Sequence, residues 1–78
     1  MHELALAQEI LNLALKESEG KKIISITISL AENGHITAQS LREAFYLVSQ
    51  GTLAESAKLK IKKTNDLEIQ VKELEVEN

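Results

Sequence analysis

Several common residue types are missing from this sequence. Its 78 residues include no cysteine, no proline and no tryptophan, and only one tyrosine and one phenylalanine. The absence of cysteine excludes disulfide bonds and thiolate zinc sites, and it fits a reducing compartment. No apolar run is long enough to span a bilayer, and the first residues lack the basic and apolar regions of a signal peptide. These absences predict a cytoplasmic protein that does not contact the membrane.

The chain also lacks an excess of positive charge, since its formal net charge is -3. Binding of nucleic acid needs a cationic surface, so neither RNA nor DNA is expected as a partner. One predicted strand nevertheless carries a basic stripe, without interleaved aromatic residues that could stack on bases. We interpret it as a solvated sheet face paired with glutamates of the last strand, and an RNA contact is the less favoured alternative. The residues concerned are Lys58, Lys60, Lys62 and Lys63, and Glu68, Glu73, Glu75 and Glu77.

Most enzyme signatures are absent as well. The sequence has no Gly-rich phosphate loop, no GxSxG turn and no HExxH pair. The second histidine, His35, follows Asn33-Gly34 and fits an exposed loop residue better than a metal ligand. We therefore predict a small single domain over residues 1–78 that is not an enzyme. A homodimer or another partner would add stability to a core of this size.

Hydrophobic periodicity predicts two helices. Apolar residues recur at helical spacing from about residue 3 to residue 19, and Gly20 is the expected stop. Thr37 fits the N-cap of a second helix, which Gly51 ends. The two apolar stripes consist of Leu4, Ala7, Ile10, Leu11, Ala14 and Leu15, and of Leu41, Ala44, Phe45 and Val48.

Alternating apolar residues predict three strands. The first covers residues 24–30, the second covers residues 57–61, and the third begins at Leu67. The apolar phase of the third strand slips after Val71, which indicates a bulge or bend near Lys72-Glu73.

The element order α-β-α-β-β predicts an α+β fold with two layers: a three-stranded mixed sheet with both helices on one face. The crossover through the second helix favours a parallel relation between the first two strands. The last two strands are expected to form an antiparallel hairpin, joined by a short turn at residues 64–66.

The first three residues form a candidate metal site. The large His2 side chain is expected to block removal of Met1, so the free amine belongs to Met1. This amine, the amide nitrogen of His2 and the His2 imidazole can close two fused chelate rings on one metal. A group of Glu3, water or a partner's side chain can take the fourth position. Planar nitrogen-rich sets suit Ni²⁺ or Cu²⁺, and the alternative is a bystander histidine at a helix start.

Taken together, these patterns resemble the HypA/HybF family of hydrogenase nickel-insertion accessory proteins. MHELALAQEIL is similar to that family's MHE start and first helix. ISITISLAENGHITAQSLREAFYLVSQGTLAESAKLKI is similar to its central strand, loop, helix and strand, and EIQVKELEVEN to its closing strand. The family's zinc domain, built on two CxxC pairs, has no counterpart here, and the short turn at 64–66 stands in its place. Ala31-Glu32-Asn33 also replaces the family's usual Gly-Glu.

The resemblance implies a nickel-binding domain without a zinc site. It makes His2 the principal ligand of Ni(II), together with the Met1 amine and the backbone or side chain of Glu3. It further implies delivery of nickel to a hydrogenase large-subunit precursor with a nickel-maturation GTPase, and in some organisms to urease. Two alternatives stay open: a protein-interaction module that has lost metal transfer, and a shortened fragment kept for its fold.

Overall fold

The computed structural model describes residues 2–31, 34–64 and 69–78. Along the chain these residues form helix α1 (His2–Ser18), strand β1 (Ile23–Ala31), helix α2 (Ala38–Ser49) and strands β2 (Lys58–Thr64) and β3 (Gln70–Val76). The predicted order of two helices and three strands is therefore confirmed.

The two helices end and begin where the local chemistry requires. Gly20 and Gly51 have φ angles of 83° and 77°, and glycine adopts this left-handed conformation without steric cost, so each helix stops just before its glycine. Thr37 is the N-cap of α2, because its hydroxyl oxygen accepts a 3.0 Å hydrogen bond from the amide of Ser40. The two glycine conformations confirm the predicted helix stops, and the Thr37 hydrogen bond confirms the predicted cap.

The sheet has the strand order β2-β1-β3. Strand β1 pairs with β2 in parallel and with β3 in antiparallel orientation. The parallel pair was predicted, but the hairpin of β2 and β3 is wrong, because β1 lies between them. Thr64 ends β2, and the rest of the predicted turn at 64–66 lies outside the described residues.

Burial explains why β1 takes the centre of the sheet. From Ser25 to Leu30 every residue of β1 is buried, so both faces and both edges of this strand are covered. A hairpin of β2 and β3 would leave β1 with one open edge, with the backbone polar groups of its most apolar segment unpaired on that side.

Strand β3 contains the predicted bulge. Thr27 is opposite Glu73 and Ile28 is opposite Val71, so Lys72 is the extra residue between two ladder positions. The bulge turns both Val71 and Leu74 toward the core, although they are three positions apart. A second irregularity at Ile24 leaves that side chain 42% exposed.

Both helices pack on the apolar face of the sheet, as predicted, with α1 beside β3 and α2 beside β2. The core joins the two layers: both helices, β1 and β2 contribute buried residues, and β3 packs partly buried apolar residues against them. Its buried members are Ala7, Ile10, Leu11, Ala14, Ile23, Ile26, Ile28, Leu30, Leu41, Ala44, Phe45, Ala54 and Leu59.

The opposite face of the sheet is polar and carries charges of opposite sign on its two sides. Ser25 is opposite Lys58 of β2 and Glu75 of β3, and it donates a 3.1 Å hydrogen bond to Glu75 Oε1. The predicted direct pairing of the basic stripe with these glutamates is wrong, because β1 separates them. Alternation along β2 also places Lys63 on the helix-covered side, apart from the other three lysines.

Candidate metal centre

The candidate metal ligands lie at the start of helix α1. His2 is the first helical residue, and Glu3 is a half-buried residue of the first turn. Met1 and the side chain of His2 lie outside the described part of the chain. The structure therefore describes the backbone of His2 and the whole of Glu3, but neither the proposed amine nor the imidazole.

A helix start supplies backbone nitrogens that a metal can use. The first four amide groups of an α-helix have no acceptor within the helix. The amides of His2 and Glu3 belong to this set, so one can exchange its proton for a metal without breaking a helical hydrogen bond. The helix dipole also favours negative charge at this end, including a deprotonated amide and the carboxylate of Glu3.

A shallow groove lies beside this helix start. Leu4 and Leu47, which are 36% and 64% exposed, stand on its two sides on α1 and α2. The side chains of Glu3 and Glu43 bring two carboxylates to the same groove. The lining residues are Glu3, Leu4, Ser40, Glu43, Ala44 and Leu47.

Helical spacing points to one residue of this groove. Leu47 falls outside the apolar stripe of α2 that contains Leu41, Ala44 and Phe45, so its exposure could be anticipated from helical spacing. Its position beside Glu3 could not, because spacing along one helix does not determine which end of another helix it packs against.

The other candidate residues do not assemble into a metal site. His35 is exposed in the segment between β1 and α2, as predicted for a loop residue. Within residues 2–31, 34–64 and 69–78, no three His, Asp or Glu side chains converge to hold a metal ion. A search of the same ranges also finds no helix with the length and apolar character needed to cross a membrane.

The fold is a small two-layer α+β domain with His2 and Glu3 at the start of its first helix. Comparison with known proteins identifies its family. Residues 1–76 match the family described as "Hydrogenase/urease nickel incorporation, metallochaperone, hypA", and the chain therefore belongs to this family.

Individual relatives agree with this assignment. The hydrogenase maturation factor HypA of Geobacter sulfurreducens is 30% identical over 61 residues, which are 78% of this chain and 56% of the relative. The same factor from Synechococcus elongatus is 41% identical over 64 residues, 78% of this chain and 57% of the relative. The HypA of Archaeoglobus fulgidus is 34% identical over 64 residues, which are 78% of this chain and 58% of the relative. The chain thus spans a little over half the length of these relatives.

Proposed function

We propose that this protein carries Ni(II) and delivers it to a hydrogenase precursor. The observation that carries the proposal is the family match, which extends from residue 1 to residue 76 and so includes the Met-His-Glu start. The position of Glu3 in the first turn of α1 supports it further, since unpaired amide nitrogens are available there.

The proposed ligands are the Met1 amine, the amide nitrogen and imidazole of His2, and a backbone or side-chain group of Glu3. Imidazole and amide nitrogens in a planar arrangement suit Ni²⁺. A chelate at a chain end has few supporting contacts, so a more enclosed site on the target can take the metal from it. Transfer is then ligand exchange, in which no substrate bond is broken, and the protein acts as a carrier and not as an enzyme.

The proposed setting follows from the family. The target is a hydrogenase large-subunit precursor, a nickel-maturation GTPase assists, and the cytoplasm is where they meet. We propose that residues 1–78 are a nickel-binding domain without a zinc site. Two facts support this: the sequence has no cysteine, and only residues 65–69 separate β2 from β3.

A calorimetric Ni(II) titration tests the proposal on tag-free protein that begins at Met1. The chain offers a matched control, because His2 and His35 are its two histidines. We expect one equivalent of Ni(II) to bind to the native protein and to His35→Ala, and binding to be lost in His2→Ala. Equal titrations of the two variants would refute a site built on His2.

The exposed groove supports a second candidate function, a protein-interaction module without metal transfer. Leu4 and Leu47 present apolar surface beside Glu3 and Glu43, and exposed apolar surface with a polar rim is typical of protein contacts. If this function is correct, binding of the GTPase or of a second copy survives His2→Ala and is weakened by Leu47→Asp. A pull-down with purified GTPase, and light scattering of the free protein, distinguish it from the nickel proposal.

A further inference from the structure

The edge of strand β2 that faces away from β1, which no strand of the described residues covers, holds much of the positive charge of this acidic protein. Arg42 of α2 and four lysines of β2 make up five of the nine cationic residues of the chain. Arg42, Lys58 and Lys60 line one shallow groove along this edge with Leu59 and Ile61. The groove is therefore cationic, although the chain as a whole has a net charge of -3.

The same edge offers backbone hydrogen-bonding groups. Arg42 Nε donates a 3.3 Å hydrogen bond to the carbonyl oxygen of Leu59, so this oxygen points away from β1. Because backbone groups alternate in direction along a strand, those of Ile61 and Lys63 point the same way. An added strand can pair with these backbone groups. In the absence of such a strand, Arg42 occupies the carbonyl oxygen of Leu59.

The side chains along the edge define the sequence that would fit. Lys58, Lys60 and Lys62 lie on the polar face of the sheet, whereas Leu59 and Ile61 lie on the helix-covered face. Side chains on one face of a strand recur every second residue, about 6.7 Å apart. A segment that alternates acidic and apolar residues places a carboxylate beside each lysine and an apolar side chain beside Leu59 and Ile61.

We propose that the β2 edge binds an acidic, extended polypeptide segment of a partner protein, which adds to the sheet as a fourth strand. The opposite edge does not fit such a segment, because Glu73 and Glu75 of β3 would repel it. The proposed binding site is on the far side of the sheet from β3 and does not involve the nickel ligands, so it can be tested without metal.

A synthetic peptide of alternating glutamate and valine, six residues long and blocked at both ends, is the probe. We expect saturable binding to the 78-residue protein, with NMR shift changes at the amides of Ile61 and Lys63. Reversing Lys58 and Lys60 to glutamate should weaken binding by about tenfold or more. The matched control, Lys16→Glu with Lys21→Glu, makes the same change of charge elsewhere and should change binding by less than about twofold.

Two altered peptides separate strand addition from simple charge attraction. One keeps the composition but groups the glutamates before the valines, and the other is methylated on every backbone amide nitrogen. We expect both to bind at least about tenfold more weakly than the alternating peptide. Equal binding of all three peptides, shift changes away from β2, or no binding would overturn the proposal. Self-association that the Lys58 and Lys60 reversals abolish would also overturn it, because the edge would then join copies of this chain.

Discussion

Strand β1 and the start of helix α1 contribute to this protein in opposite ways. Ile26 and Ile28 of β1 are fully buried between helices and neighbouring strands, so many contacts hold each of them. Glu3 lies one residue into α1 and is only half-buried. The strand supplies stability, whereas the helix start supplies unpaired backbone groups and, in the proposed function, the nickel ligands.

We therefore expect that the two regions can be changed independently. A mutation in β1 should lower the free energy of unfolding and leave the nickel affinity of the folded protein unchanged. A change at the amino terminus should do the reverse.

Replacing Ile28 with alanine should have the largest effect on stability. Its side chain is 0% exposed and lies between Ile61 of β2 and Val71 of β3, so we expect a loss of about 2–5 kcal/mol of unfolding free energy. Urea unfolding measures it. Ile24→Ala is the control, because this residue of the same strand is 42% exposed and should cost less than about 1 kcal/mol. Equal losses for the two variants would contradict the assigned core.

Lowering the pH should have the second-largest effect, a loss of nickel affinity. Protons compete with the metal for the proposed amine and imidazole, so affinity is present at neutral pH and falls as pH falls, by about tenfold per pH unit for each proton displaced. Competition titration from about pH 7.5 to about pH 5.5 should therefore show a loss of about 100-fold or more. An affinity that does not change over this range would exclude ligands that must lose a proton.

Thr37→Ala should have a smaller effect, on stability alone. It removes the hydroxyl that accepts from Ser40 N at the start of α2, which should cost about 1 kcal/mol. Thr37→Ser keeps an oxygen at this position and should restore most of the loss. Thermal unfolding compares the variants, and unchanged stability of Thr37→Ala would show that the cap contributes nothing.

Local patterns in the sequence predicted most of the fold. The stops at Gly20 and Gly51, the cap at Thr37 and the bulge at Lys72 each depend on a few neighbouring residues, and all four are present. The predicted hairpin of β2 and β3 was wrong, because nearness along the chain favoured it over the pairing of β3 with β1. Pairing of β3 with β1 depends on long-range burial of β1, which alternation within one strand does not reveal.

The same limit applies to the candidate site: neighbouring residues could be identified from the sequence, whereas contacts between distant segments could not. Met1, His2 and Glu3 could be selected from the sequence because chelation depends on adjacent residues. The groove beside them depends on how α1 meets α2, and Leu47 and Glu43 could not be assigned to it from spacing. The basic stripe was visible in the sequence, but its place on a free edge follows only from the observed strand order.

Blocking the amine of Met1 tests whether the start of the chain is a nickel chelate. We would compare the Ni(II) affinity of unmodified protein with that of protein acetylated only at the α-amine, by calorimetry at neutral pH. Acetylation removes one proposed ligand and leaves every side chain and the core intact. We expect a loss of at least about 100-fold in Ni(II) affinity, with unchanged thermal stability of the metal-free protein. Undiminished binding by the acetylated protein would contradict the proposed chelate.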